Sequence, residues 1–504
     1  MTLLLGADFG TESVRVGAFD ADSSTGIGSV QRPYETVILP NAWVEQDPEE
    51  WWSAFLDAAD ELLDGIGRRD VAAICVAATS STVVFTDING VPLRPAISWM
   101  DARAGEESHR TGRSQHPVMR YSGGEDAVEW LVPKAMWLAK HEPDTYAEAE
   151  VVAEQLDFIN HRLTGRWAAS KLNATCKWNF DPLGGGFVPE LYDEFGVPDL
   201  IEKLPQDVLA VGTPVERVRA SVVSRLRLTT QPVVAQGGID AHVSMLGGGT
   251  MSEGELLLIG GTSVVHLAHV LNPNASGGVW GPYPDALVDG WWIVEGGQVS
   301  GGSILTWLAQ EIFGLSHDQH SALARSALER KSADLLAIDH WMGSRTPYRD
   351  PYLRGALIGL TLGQDRVDLY RSCAEALAFG TRNVIEAFAE TGAQVDRIVV
   401  AGGIRQNPLW LQVTADVLGV PLTTTVNANL SLVAGAVSAA TCLGLEPDLE
   451  AGSRRWAQTA DVIEPLEGNH ERLSERFDDY KNSISALTPQ MHRLTGAGDD
   501  IHGG

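Results

Sequence analysis

Cysteine is scarce: Cys75, Cys176, Cys373 and Cys442 are the only four in 504 residues, and no two form a CxxC pair. Their wide spacing gives no support to a disulfide framework or a zinc site, and a reducing compartment fits. Three of them sit among apolar or small residues, where a free thiol behaves as a small core residue. Long apolar runs are also missing; none reaches the roughly 18 residues of a membrane span, so no membrane contact is expected. The first residues lack a basic segment and a cleavage site, and the chain reads as cytoplasmic. Positive charge is in deficit, with 37 Lys and Arg against 66 Asp and Glu and a net charge of −29. Such a surface repels phosphate backbones and anionic lipid, so nucleic acid is not an expected partner. Finally, GxxxxGK[ST], GxGxxG, HExxH and nucleophile-elbow patterns are all absent.

What remains is an ordinary globular composition, 44% hydrophobic and 20% charged, in a chain too long for one core. Leu3 to Asp8 reads as a short buried strand, Gly10-Thr11-Glu12-Ser13 as a turn, and Val14 to Asp20 as a returning strand. Asp47-Pro48-Glu49-Glu50 combines an N-cap, a proline at the first helical position and acids in the first turn. The helix it opens packs on a sheet whose next strand is Val71 to Ala78. From about 120 to 235, helical stretches alternate with Gly/Pro-rich loops, read as insertions covering one side of the first domain. Near 254 the opening pattern returns: a Glu255–Ile259 strand, a Gly260-Gly261-Thr262-Ser263 turn and a Val264–Leu267 strand. The echo suggests two related halves. A long amphipathic helix from about Asp368 to Glu390 and a strand Arg397–Ala401 follow, then Gly402-Gly403 and the Asn407-Pro408 helix start. The expected division is 1–245, 246–485 and a loose tail over 486–504.

The three glycine turns at 10–13, 260–263 and 402–403 each follow a strand and expose backbone N–H groups, which bind anions without a lysine. One such turn alone is an ordinary hairpin tip. Three in one chain, with Asp8 beside the first, point to a phosphate cradle, and Asp8 stands where a ligand for Mg²⁺ or its waters belongs. Phosphoryl transfer to an alcohol also needs a carboxylate to orient the hydroxyl and accept its proton. Val233-Val234-Ala235 runs through Gly237-Gly238-Ile239 to Asp240 at the head of a helix, where the residue serves either as that base or as a cap.

These segments resemble the FGGY carbohydrate kinases. The matching pieces are Asp8 to Arg15, Trp43 to Pro48, Trp99 to Ala104, Gly238 to Ala241, Gly260 to Ser263, and Ala401 to Gly403 with Asn407-Pro408, in the family's order. The resemblance implies an α/β protein of two ribonuclease-H-like domains of the actin and hexokinase type, with an interdomain cleft, acting on a small sugar and MgATP. It implies Asp240 as catalytic base and Asp8 as the Mg²⁺ acid. Thr11, Ser13 and Arg15 fall in the first phosphate hairpin, Gly261 and Thr262 in the second, and Gly302, Gly403 and Asn407 around the adenosine. A homodimer is a family-level expectation.

Within the family the pattern is most similar to ribulokinases and ribulokinase-like pentulose kinases. Thr79-Ser80-Ser81-Thr82 takes the place of their substrate loop, Cys176-Lys177-Trp178 their lysine segment, and Glu295-Gly296-Gly297-Gln298 a second sugar contact. Ser80, Asp101, Lys177, Asp240 and Glu295 are thereby implied on the sugar side, with D-ribulose or L-ribulose as acceptor. Trp280, Trp291 and Trp292 either line that pocket or simply pack. Ala102 stands where histidine is common, which leaves xylulose, erythritol and ribitol open. A nucleotide-driven interaction protein of the actin type and a non-catalytic sugar sensor are the rivals from other classes. The sensor reading predicts loss of Asp8 or Asp240, and both are present.

Overall fold

The computed structural model describes residues 2–274 and 278–496. The chain forms two compact units, the first made of 1–251, 280–293 and 429–457, the second of 252–279, 294–428 and 458–504.

In the first unit, β1 (Leu3–Phe9) is buried along its whole length, as its run of leucines dictates. It pairs antiparallel with β2 (Ser13–Asp20), which pairs antiparallel with β3 (Thr25–Pro33). Helix α1 (Pro48–Ile66) starts as its sequence predicts: Asp47 accepts a hydrogen bond from the Glu49 N–H, with Pro48 in the first turn. It buries Trp51, Phe55, Ala58, Ala59 and Leu62 against the sheet. Strand β4 (Val71–Ala78) lies parallel to β1 on its other side. Helices α2 (Leu131–His141), α3 (Gln155–Thr164) and α4 (Lys171–Lys177) occupy the region read as insertions. Strand β5 (Pro214–Arg217) is antiparallel to β6 (Val233–Ala235), which is parallel to β4 and leads into helix α5 (Asp240–Gly248). The sheet order is β5-β6-β4-β1-β2-β3.

The second unit repeats this plan. Strand β7 (Gly254–Gly260) is antiparallel to β8 (Val264–Val270), whose other neighbour is β9 (Trp292–Gln298). Strand β10 (Val395–Ala401) is parallel to β7, β11 (Leu422–Thr425) is parallel to β10, and β12 (Thr459–Ile463) is antiparallel to β11. The echo between residues 3–20 and 254–270 is therefore a repeated sheet topology.

A single cut near 245 does not describe the observed units. Helix Leu430–Cys442 returns to the first unit and lies on β1, and a Cβ added at Gly6 would stand 2.7 Å from the Leu432 carbonyl. A Cβ added at Gly435 would stand 3.1 Å from the Gly6 Cα, so two glycines make room for a backbone-close crossing that strand and helix patterning alone does not reveal. The segment expected as a loose tail also differs: helix Asn469–Leu494 runs through 486–494, anchored by buried Phe477, Tyr480, Ile484 and Met491. Residues 497–504 lie outside the described residues.

Candidate active site

The carboxyl ends of β1, β4 and β6 collect the acids. Asp8 is buried; its Oδ2 accepts hydrogen bonds from Asn429 Nδ2 at 2.8 Å and Arg15 Nη1 at 3.3 Å. Its Oδ1 is buried with no hydrogen-bond partner among the described residues. A buried carboxylate oxygen left unpaired is costly, and a hydrated divalent cation fits that vacancy in its bonding. Among the described residues no cluster of three or more His, Cys, Asp or Glu could hold a metal by itself, so such an ion would take most ligands from water and substrate.

Asp240 reaches the same end of the sheet through a turn that only glycine permits. A Cβ on Gly237 would stand 1.8 Å from the Val76 carbonyl, and Gly238 is pressed against Leu172 of α4. The chain thus runs against β4, with the Ala78 N–H bonded to the Gly238 carbonyl at 3.3 Å. Asp240 then occupies the first position of α5 and accepts a hydrogen bond from the Ala241 N–H at 2.7 Å. Burial, and next the Asp8 charge, raise its carboxyl to about 7, against the opposing pull of the Ala241 N–H and Arg15. An acid tuned to neutrality beside a second carboxylate is suited to accept a proton from an alcohol.

The hairpin tip between β1 and β2 is held from several sides. The Gly10 N–H donates to Ser13 O at 3.0 Å, and the Tyr34 hydroxyl donates to Gly10 O. Thr11 O accepts from Gln46 Nε2 at 2.6 Å, Thr11 Oγ1 accepts from Trp99 Nε1 at 3.1 Å, and Ser13 Oγ accepts from Gln31 Nε2 at 2.8 Å. Burial, with Asp8 and Asp240 adding to it, raises the Tyr34 phenol well above its ordinary range, so it remains a neutral donor.

Of the residues implied on the sugar side, Ser80 follows the end of β4, with its hydroxyl 2.9 Å from that of Ser81. Lys177 closes α4 inside a box of rings, its Nζ 4.6 Å from the Trp130 ring centre and 5.5 Å from those of Trp280 and Tyr283. Such contacts stabilise an ammonium by about 0.5–2 kcal/mol each. His242 of α5 packs on the same Tyr283, ring centres 6.2 Å apart, which links the Lys177 box to the Asp240 helix. Asp101 is committed elsewhere. Its carboxylate takes the Val44 N–H at 2.6 Å, the Arg103 N–H and Nε at 2.9 Å each, and Arg103 Nη2 at 2.8 Å. Glu295 belongs to the second unit, buried on β9.

In the second unit the five residues implied for the nucleotide line one cavity of about 640 Å³: Gly261, Thr262, Gly302, Gly403 and Asn407, with Trp307 and Trp410 among the other walls. The turn at Gly261 is braced by the Gly302 N–H on Gly261 O at 2.8 Å and the Gly301 N–H on Thr262 O at 2.7 Å. Gly402 takes a φ of 81°, and a Cβ there would lie 2.6 Å from Gly260 O. Asn407 caps helix Pro408–Leu418 by accepting from the Trp410 N–H at 3.1 Å, and its Nδ2 donates to the Tyr370 hydroxyl at 2.9 Å.

Sequence reasoning missed Asn429, Tyr34 and Gln31. An Asn ahead of an apolar run reads as a helix cap, and Asn429 is one, accepting from the Leu432 N–H at 3.0 Å. Its second bond, to an acid 421 positions away, leaves no local mark. The tyrosine and glutamine sit in a strand edge and loop with no motif around them.

Models of the FGGY family of carbohydrate kinases match 3–247 for the N-terminal domain and 256–442 for the C-terminal domain. The chain belongs to the FGGY carbohydrate kinases. It is a sugar kinase whose phosphoryl donor is ATP. A ribulokinase of Mycolicibacterium smegmatis is 28% identical, the match covering 97% of this chain and 95% of that one. Solved structures of a xylulose kinase from Rhodospirillum rubrum and a gluconate kinase from Lactobacillus acidophilus are 24% and 20% identical, each with a TM-score of 0.87. They cover 97% and 98% of this chain and 100% and 99% of their own. Two kinases named for different acceptors superpose equally well, so the two-domain fold of this FGGY kinase is secure while the fold alone does not choose its sugar.

Proposed function

We propose that this FGGY kinase transfers the ATP γ-phosphoryl group to a terminal hydroxyl of a ketopentose, D-ribulose or L-ribulose, with Asp240 as the base. The observation that carries the reading is the pairing of Asp240, raised to about 7, with Asp8, whose Oδ1 is buried and unbonded among the described residues. One carboxylate is tuned to take a proton and the other is left open for a cation. The similarity to named ribulokinases over most of the chain supports the choice of sugar, in line with Ser80, Lys177 and Glu295, which the resemblance implies on the sugar side.

Asp240 accepts the hydroxyl proton as the oxygen attacks, and the aromatic box keeps the Lys177 ammonium in place to orient the neighbouring sugar hydroxyls. In the first unit the N–H groups and hydroxyls at Thr11 and Ser13 serve phosphate oxygens, with Arg15 adding positive charge; in the second unit Thr262 does so at its own turn, and the 640 Å³ cavity takes the adenosine. Mg²⁺, held through Asp8, would neutralise charge on the phosphates. The test is ADP release from MgATP with ketopentoses, aldopentoses, tetruloses and polyols, wild type beside Asp240→Asn. Sugar-dependent turnover on a ribulose that vanishes in Asp240→Asn supports the reading. Full turnover by Asp240→Asn removes the base, and turnover confined to another acceptor class removes the sugar.

A further inference from the structure

Lys134 is a lysine with no exposed surface, in the middle of α2 among buried Leu131, Val132, Ala135, Met136 and Leu138. Its Nζ donates to two backbone carbonyls from separate segments, Ser81 O at 2.7 Å and Ser98 O at 2.8 Å. The first lies in the loop that carries Ser80, the second just ahead of Trp99. The residues that follow are joined to each other, for the Trp99 N–H donates to Thr82 Oγ1 at 3.2 Å. From there Trp99 Nε1 reaches Thr11 Oγ1 at the hairpin tip, and the Gln155 N–H holds Thr82 O at 2.9 Å.

We infer that Lys134 is a positioning residue for acceptor binding: it clamps the 79–82 and 98–99 segments together so that the sugar loop and the phosphate hairpin hold one fixed relation within the first unit. A neutral side-chain amide, with two N–H donors, would satisfy two carbonyls at far lower desolvation cost than a cation. What the ammonium adds is the strength of charge-assisted hydrogen bonds, hence stiffness, which a site that must hold an acceptor hydroxyl in line requires. Burial pushes the ammonium down to about 7 against the fields of Asp101, Glu129 and Glu154, so the charged form of the clamp is complete only below that pH. This assignment rests on reading 79–82 as the sugar-binding loop.

The experiment compares Lys134→Met, close in length but without donors, with wild type using D-ribulose and L-ribulose as acceptors. The readouts are KM for the sugar, ATP affinity measured without sugar, and melting temperature. The clamp predicts a sugar KM raised about tenfold or more while ATP affinity stays within about twofold. A lysine that only stabilises the fold gives a lowered melting temperature with an unchanged sugar KM, and that result overturns the inference. Parallel weakening of sugar and ATP overturns it too. Should Lys134→Met not fold, the near-isosteric Thr82→Val removes the acceptor of the Trp99 N–H and leaves Lys134 in place. It should raise sugar KM by roughly threefold, again without changing ATP affinity, and no change in KM counts against the clamp. Wild-type turnover on the two sugars is read separately, so failure of the ribulose assignment shows in wild type and failure of the clamp only in the variants.

Discussion

The two units build the same hairpin and furnish it differently. In the first, the cross-strand pair two residues before the tip is Asp8 opposite Arg15; in the second, the pair at the same place is Ile259 opposite Val265. The tip itself is Gly10-Thr11 in one and Gly261-Thr262 in the other. Past the next parallel strand the first unit places Thr79-Ser80, with the Thr79 N–H on Phe9 O at 3.0 Å, where the second places Gly402-Gly403. One copy of the scaffold is fitted with charge and hydroxyls, the other is emptied of side chains to open a cavity. Repeated topology thus separates two demands that conflict in one place: buried charge for proton transfer and vacant volume for a large ligand.

The sharpest way to break the charged side is Asp240→Asn. Loss of a general base lowers kcat by about 10²–10⁴-fold, while ATP affinity measured without sugar holds because the nucleotide cavity belongs to the other unit. In wild type, kcat/KM should fall as pH drops through about 7, since the protonated carboxyl cannot accept the hydroxyl proton. Stability moves the opposite way. The Asp240 carboxyl is raised in the fold from an ordinary value of 3.8, so its charge opposes folding fully above about 7 and the penalty fades as pH falls toward 3.8. Asp240→Asn should therefore melt higher than wild type at pH 8, with the difference shrinking at lower pH. A variant that melts lower at pH 8 would contradict the strain assigned to this carboxylate.

Asp8→Asn comes next. It keeps the size and removes the charge that helps raise Asp240, so the acid limb of kcat/KM should move to lower pH even as kcat drops, by about 10–10²-fold. A pH–rate profile for the variant checks it. An unmoved limb would separate the two carboxylates and leave burial as the sole cause of the Asp240 shift.

The emptied side is tested by Gly402→Ala. Its φ of 81° and the 2.6 Å approach to Gly260 O together should destabilise the protein by roughly 1–3 kcal/mol and raise KM for ATP, with sugar KM little affected. Thermal melts and the two KM values decide whether the cavity depends on this crossing.

How far these contrasts were legible from sequence follows from their range. Strands, the Asp47 cap and both hairpins rest on local patterns, and the chain shows them where composition and spacing put them. The Gly402-Gly403 and Gly237-Gly238 turns were visible as glycines, but which backbone each one meets was not, because a Cβ clash is a property of the packed sheet. Asp101 shows a partner set that the motif did not announce. The resemblance puts this acid on the sugar side; in the fold Arg103 and the Val44 N–H bond both its oxygens, and Arg103 in turn lies over the Trp43 and Trp137 rings. Helix Leu430–Cys442 returning to β1, with Asn429 bonded to Asp8, is a contact across more than 400 positions that no periodicity encodes. Lys134 was passed over for a related reason: a lysine in an amphipathic helix reads as surface until the loops that bury it are placed.

The smallest effect expected is the most discriminating about the comparison itself. Arg15→Val gives the first hairpin the residue found at the matching place in the second, opposite an acid in place of Ile259. The Arg15 side chain is 41% exposed and its 3.3 Å contact to Asp8 is long, so the pair should contribute no more than about 1 kcal/mol to stability. Its field matters more than its bond. Arg15 is among the groups that lower the Asp240 carboxyl, so its removal should move the acid limb of kcat/KM slightly upward, opposite to Asp8→Asn. The double variant should then fall between the two single ones. If Arg15→Val moved the limb downward, the charges around Asp240 would not be acting as a simple field. The difference between the hairpins would then have to be one of shape, with Arg15 acting through the position of the tip.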